Sequence, residues 1–137
     1  MGRSVVTILL VEGFPCYRSL VQSLLEFSNF QLVGEASDGL EAVEKAQQLR
    51  PDLILMEIAL AKRNGLETAK RIRQFLPQSK IVFLTLETSA EVVEEALRLG
   101  AFGYILKQQA GTDLLSGIAV ACQGRRFISS GLAIDLD

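Results

Sequence analysis

An α/β fold is predicted, built on a doubly wound five-stranded parallel sheet with helices on both faces. Three observations predict it. Short apolar runs alternate with segments of helical periodicity, five times in succession. The runs are nearly continuous in apolar residues, as in strands covered on both faces, Val5–Val11 most clearly. The breaks between them fall at prolines, glycines and helix-capping residues, and right-handed crossovers then distribute the helices over both faces.

Taken in order, Pro15 opens a first helix whose expected buried face is Tyr17, Leu20, Val21, Leu24 and Leu25. Gln31–Ala36 is a weaker second strand. Asp38 and Glu41 have capping-box spacing, and Val43, Ala46 and Leu49 form the expected apolar stripe of the second helix. Pro51-Asp52 ends it, and Leu53–Met56 is the third strand. A loop over Ile58–Asn64 leads through Gly65 to a helix with Leu66, Ala69, Ile72 and Phe75/Leu76 inward and Lys70, Arg71 and Arg73 on its solvated face. Lys80–Thr85 is the fourth strand. Thr88 and Glu91 predict another capping box, and Gly100 ends that helix. Gly103–Leu106 is the fifth strand, and Thr112 is the expected N-cap of a final helix closed by Gly124. No element is expected in the tail from Gly124 to Asp137.

Composition narrows the function. A length of 137 residues suits one domain. The net charge of −2 gives no electrostatic basis for nucleic-acid binding. There is no histidine, so zinc and histidine acid–base chemistry are not expected. Cys16 and Cys122 lack metal-ligand spacing and are expected as partly buried reduced thiols. No apolar stretch approaches the ~18–20 residues of a membrane span, and the N-terminus lacks the pattern of a signal peptide. A cytoplasmic chain without membrane contact is expected.

In parallel α/β sheets, chemistry gathers beyond the C-terminal ends of the strands. That rule selects Glu12 and Gly13 after the first strand, Glu57 after the third, Thr85 after the fourth and Lys107 after the fifth. No glycine-rich phosphate loop follows the first strand, since Glu12-Gly13-Phe14-Pro15 lacks the glycines it needs. A nucleotide-type or enzymatic reading is therefore set aside.

The segments Leu9–Pro15, Asp52–Ile58, Asn64–Glu67, Leu84-Thr85 and Gly103–Lys107 resemble the receiver domain of two-component response regulators, a flavodoxin-like (βα)5 fold. Leu99–Lys107 and Gly124–Ser129 most resemble the NarL/LuxR-type branch, in which a receiver precedes a helix-turn-helix DNA-binding domain. The resemblance implies a phospho-acceptor position at Glu57 and a phosphate-binding hydroxyl and amine at Thr85 and Lys107. It also implies a switch aromatic at Tyr104. In the family, two acids after the first strand hold Mg²⁺ together with an acceptor Asp.

Here the acceptor position is Glu57 and the second strand-one acid is replaced by Gly13. Only Glu12, Glu57 and the Ala59 carbonyl remain as Mg²⁺ ligands, so no cofactor and no catalytic residue are expected. The extra methylene of Glu57 displaces its carboxylate by about 1–1.5 Å, enough to spoil in-line attack and to reach Lys107. The resulting expectation is a pseudo-receiver acting by protein–protein contact, not as an enzyme, in a transcriptional regulator. The alternative is a phosphorylation-dependent switch served by a histidine kinase. Residues 1–126 are expected to form the receiver-like domain and 127–137 the start of a linker toward a DNA-binding domain. A sensor histidine kinase or other signalling protein and a homodimer are the expected partners.

Overall fold

A computed structural model of the chain describes residues 5–132. Its elements follow the predicted alternation: β1 (Val6–Val11), α1 (Pro15–Leu25), β2 (Phe30–Ala36), α2 (Gly39–Leu49), β3 (Leu53–Met56), α3 (Gly65–Phe75), β4 (Lys80–Thr85), α4 (Ala90–Arg98), β5 (Gly103–Leu106), a 3₁₀ turn (Lys107–Gln109), α5 (Ala110–Cys122) and β6 (Phe127–Ile128). The sheet is parallel, with strand order β2-β1-β3-β4-β5-β6.

The five-strand expectation is corrected to six. Gly103 pairs with Phe127 and Tyr104 with Ile128, so the chain after α5 returns along the free edge of β5. The new strand is only two residues long, too short for an alternation signal. It saves backbone groups on the β5 edge from being left unpaired: Ser129 N–H donates to Tyr104 O at 3.0 Å.

The central strands are apolar because both faces are covered. Leu9, Ile54, Met56, Ile81 and Phe83 meet α2, α3 and α4 on one side, through Ala42, Ala46, Ala69, Ile72, Val93 and Ala96. Ile8, Leu10, Leu53, Leu55, Val82 and Ile105 meet α1 and α5 on the other, through Val21, Leu25, Leu114, Ile118 and Ala121. All four residues of β3 are fully buried. Each such side chain contributes roughly 1.5–3 kcal/mol of transfer free energy.

The helix boundaries follow local chemistry. Pro15 occupies the first turn of α1. Asp38 accepts from Glu41 N–H at 2.9 Å while Glu41 accepts from Ser37 N–H at 2.6 Å, a reciprocal cap on α2. Asn64 caps α3 through Glu67 N–H at 2.9 Å. For α4 the cap is Ser89, one residue later than the expected Thr88, and it accepts from Val92 N–H at 3.3 Å. Thr112 lies inside α5 instead of capping it, because the 3₁₀ turn after Lys107 runs directly into the helix. Leu20 and Leu49 are substantially exposed, at the margins of the apolar faces assigned to them, and Cys16 and Cys122 are exposed free thiols. No helix among the described residues is long and apolar enough to cross a membrane.

Candidate functional site

Glu12, Glu57, Thr85 and Lys107 lie at the C-terminal ends of β1, β3, β4 and β5, and all four are buried. Parallel register delivers them to one end of the sheet: Val11 pairs with Met56 and Thr85 with Leu106, one residue short of Glu12, Glu57 and Lys107.

At the centre stands Lys107. Its Nζ lies 2.7 Å from Glu12 Oε1 and 2.5 Å from Glu57 Oε1. The second oxygen of each acid is also satisfied. Glu12 Oε2 accepts from Phe14 N–H at 3.0 Å. Glu57 Oε2 accepts from Ile58 N–H at 2.5 Å and Ala59 N–H at 3.1 Å. Burial works against the Lys107 ammonium, but the hydrogen bonds it donates to Glu12 and Glu57 and the charges of those acids outweigh it. The lysine is therefore held above its ordinary range.

Two further groups hold this arrangement. The Tyr17 ring lies beneath the ammonium, with Nζ 3.8 Å from the ring centroid. Arg18 Nη1 donates to the Glu12 carbonyl at 2.8 Å, fixing the turn after β1. The sequence marks Tyr17 only as part of the buried face of the first helix and does not mark Arg18. Tyr17 and Arg18 sit in the first turn of α1, whose periodicity reports burial and says nothing of which strand end lies above it.

Glu57, Thr85 and Lys107 open on a cavity of about 270 Å³ whose rim includes Phe14, Tyr17 and Leu86. Phe14 and Leu86 are exposed. Gly13 is not part of this lining and lies in the exposed turn, where an added Cβ would meet Ser37 O at 3.2 Å. Thr85 Oγ1 accepts from Glu87 N–H at 3.3 Å, so its hydroxyl is engaged with the β4–α4 turn and not with Glu57. Tyr104 is fully buried and donates from its hydroxyl to the Glu87 carbonyl at 2.8 Å. Burial pushes the Tyr104 phenol well above the ordinary tyrosine range, with the charges of Glu87 and Glu57 adding to the effect.

A magnesium ion does not fit this donor set. Magnesium needs near-octahedral oxygen geometry, whereas Glu12 and Glu57 are both turned onto an ammonium. Glu57 is further tied to the Ile58 and Ala59 amides. Gly13 brings no oxygen from a side chain, and among the described residues no cluster of three potential ligands occurs. The Glu12, Glu57 and Ala59 set that the sequence leaves as the remaining magnesium ligands falls short of a metal site.

The family model of the response regulator receiver domain matches residues 8–119. The chain belongs to that family. This receiver is 37% identical over 127 residues to the nitrate/nitrite response regulator protein NarL of Escherichia coli (strain K12), a match covering 92% of this chain and 59% of that one. It thus spans about three fifths of that relative's length. Among solved structures, a two-component response regulator of the LuxR family from Aurantimonas sp. SI85-9A1 superposes with a TM-score of 0.89 at 29% identity, covering 95% of this chain and 94% of that one. The NarL signal receiver domain from Mycobacterium tuberculosis gives 0.84 at 26% identity, covering 90% and 100% respectively. The receiver is accordingly of the NarL/LuxR type, with the flavodoxin-like fold.

Proposed function

We propose that this receiver is a pseudo-receiver, a signalling module whose output surface is set by a permanent ion cluster and not by phosphorylation. The observation that carries the reading is the shared ammonium: Lys107 is bonded to Glu12 and Glu57 at once. A receiver that accepts a phosphoryl group needs a free carboxylate in line with the donor and cations to offset the crowding of negative charge. Here the carboxylate at the acceptor position has both oxygens engaged, and the cation is the chain's own lysine.

The module acts by protein–protein contact, within a longer transcriptional regulator of the NarL/LuxR type. The receiver-like domain takes in β6 and Ser129 beyond residue 126, and the residues that follow begin a linker to a DNA-binding domain. Its partners are signalling proteins of the cytoplasm. Incubation with acetyl phosphate and magnesium, followed by intact-mass measurement, tests the reading. No mass gain is expected. A gain of one phosphoryl group on an acid-labile, hydroxylamine-sensitive acyl phosphate at Glu57 would overturn it in favour of a phosphorylation-dependent switch fed by a histidine kinase.

A further inference from the structure

The helices on one face of the sheet carry opposite charge in adjacent strips. The loop and helix from Ala61 to Phe75 hold Lys62, Arg63, Lys70, Arg71 and Arg73 against one acid, Glu67. The next loop and helix, Leu86 to Arg98, hold Glu87, Glu91, Glu94 and Glu95 against one cation, Arg98. The two strips are neighbours: Lys70 Nζ lies 3.0 Å from Glu95 Oε1. A shallow groove of about 330 Å³ runs between them, lined by Lys70, Arg73, Glu95, Arg98 and Leu99. Lys70, Arg71, Glu91 and Glu94 are exposed. Only part of this charge is neutralised within the chain, by the Lys70–Glu95 and Arg98–Glu95 pairs and a bridge from Lys62 to Asp38.

The symmetry of such a surface selects its partner. Both helices follow parallel strands on the same face of the sheet and therefore run in nearly the same direction. A two-fold axis lying along the groove would place the basic α3 of one copy against the acidic α4 of the other, twice over. In that pairing the net charges of the facing strips are opposite, with Glu67 and Arg98 as the exceptions, whereas laying α3 on α3 or α4 on α4 sets like net charges together.

We propose that the α3–α4 face is a self-association surface whose occupant is a second copy of this chain, paired α3 to α4 across a two-fold axis. The surface lies apart from the Lys107 cluster and does not depend on how that cluster is read. Exposed ion pairs are individually weak and screened by salt, so the dimer is a low-affinity, salt-sensitive one.

Sedimentation velocity over a concentration series tests this. Dimers are expected at roughly 0.01 M ionic strength, where the screening length is ~30 Å, and monomers at roughly 1 M, where it is ~3 Å. Glu91→Lys/Glu94→Lys makes both strips basic, and Lys70→Glu/Arg71→Glu cancels the net charge of the α3 strip and leaves the acidic α4 strip without a basic counterpart. Each variant alone is expected to stay monomeric at low salt with an unchanged circular dichroism spectrum, and an equimolar mixture is expected to form the heterodimer. A parent that stays monomeric at low salt overturns the proposal. So does a dimer indifferent to both pairs of substitutions, or a mixture that fails to associate.

Discussion

Lys107 Nζ and Glu57 Oε1 are 2.5 Å apart in a site where both side chains are almost wholly buried. Glu12, at the C-terminal end of the neighbouring β1, shares the same ammonium at 2.7 Å. Lys107→Met would leave two buried carboxylates without a counter-charge. A loss of about 3–5 kcal/mol is expected, the scale of breaking a buried ion pair from one side. Adding Glu57→Gln to that variant should recover part of the loss, since one uncompensated charge disappears. Urea denaturation of the single and double variants checks both statements. Equal stability of Lys107→Met and parent would remove the cluster from any role in holding the fold.

The alkaline limb of stability follows from the same residues. The folded state holds both Lys107 and Tyr104 protonated to higher pH than the unfolded chain does, from ordinary values of 10.5 and 10.0. A raised folded-state value means the contribution is complete below those values and is lost as pH rises beyond them. Stability is therefore expected to be level near neutrality from these two groups and to fall above about pH 10. Tyr104→Phe should flatten part of that fall, at the cost of the hydrogen bond to the Glu87 carbonyl. Thermal midpoints between pH 8 and 11, set about half a unit apart, read the effect.

Restoring the acidic pattern should restore metal binding. In Glu57→Asp/Gly13→Asp the shorter acid withdraws from Lys107, and a carboxylate appears in the turn after β1. The Ser37 carbonyl, 3.2 Å from the new Cβ, has to move by a few tenths of an ångström. Magnesium titration followed by isothermal calorimetry should show a site in the double variant and none in the parent. Beryllofluoride binding should appear along with it. A parent that binds magnesium as tightly as the variant would contradict the donor-set argument.

Ser129 provides a fourth check. Its hydroxyl accepts from Leu106 N–H at 3.0 Å and donates to Asp113 Oδ2 at 2.7 Å, and the residue is buried. Ser129→Ala leaves the Leu106 amide without its partner, which costs about 1–3 kcal/mol. Hydrogen exchange at Leu106 should accelerate in the variant, while the β1 amides change only with global stability.

Much of this architecture is legible in the residues alone, for physical reasons that can be named. The four apolar residues of β3 and the four of β4 from Ile81 to Leu84 read as strands because burial on both faces leaves no polar position within those runs. Asp38 and Glu41 mark the start of α2 because a carboxylate and an N–H at that spacing satisfy each other locally. The strand-end rule brings Glu12, Glu57, Thr85 and Lys107 together because it depends only on chain direction. What escapes is long-range. The pairing of Phe127-Ile128 with β5 rests on contacts across more than 20 positions and on a segment too short for periodicity. Tyr17 beneath Lys107 depends on how α1 lies across the sheet. The engagement of Thr85 with Glu87 is local, two positions apart, but depends on the path of one turn that periodicity does not report.

The Ser129 hydroxyl bridges the backbone next to Lys107 and the first turn of α5. The chain thus leaves the sheet from a point clamped beside the strand that carries the lysine. A pull on the residues after Ser129 would bear on the Leu106 amide and the Tyr104 carbonyl together, one position from the lysine of the ion cluster.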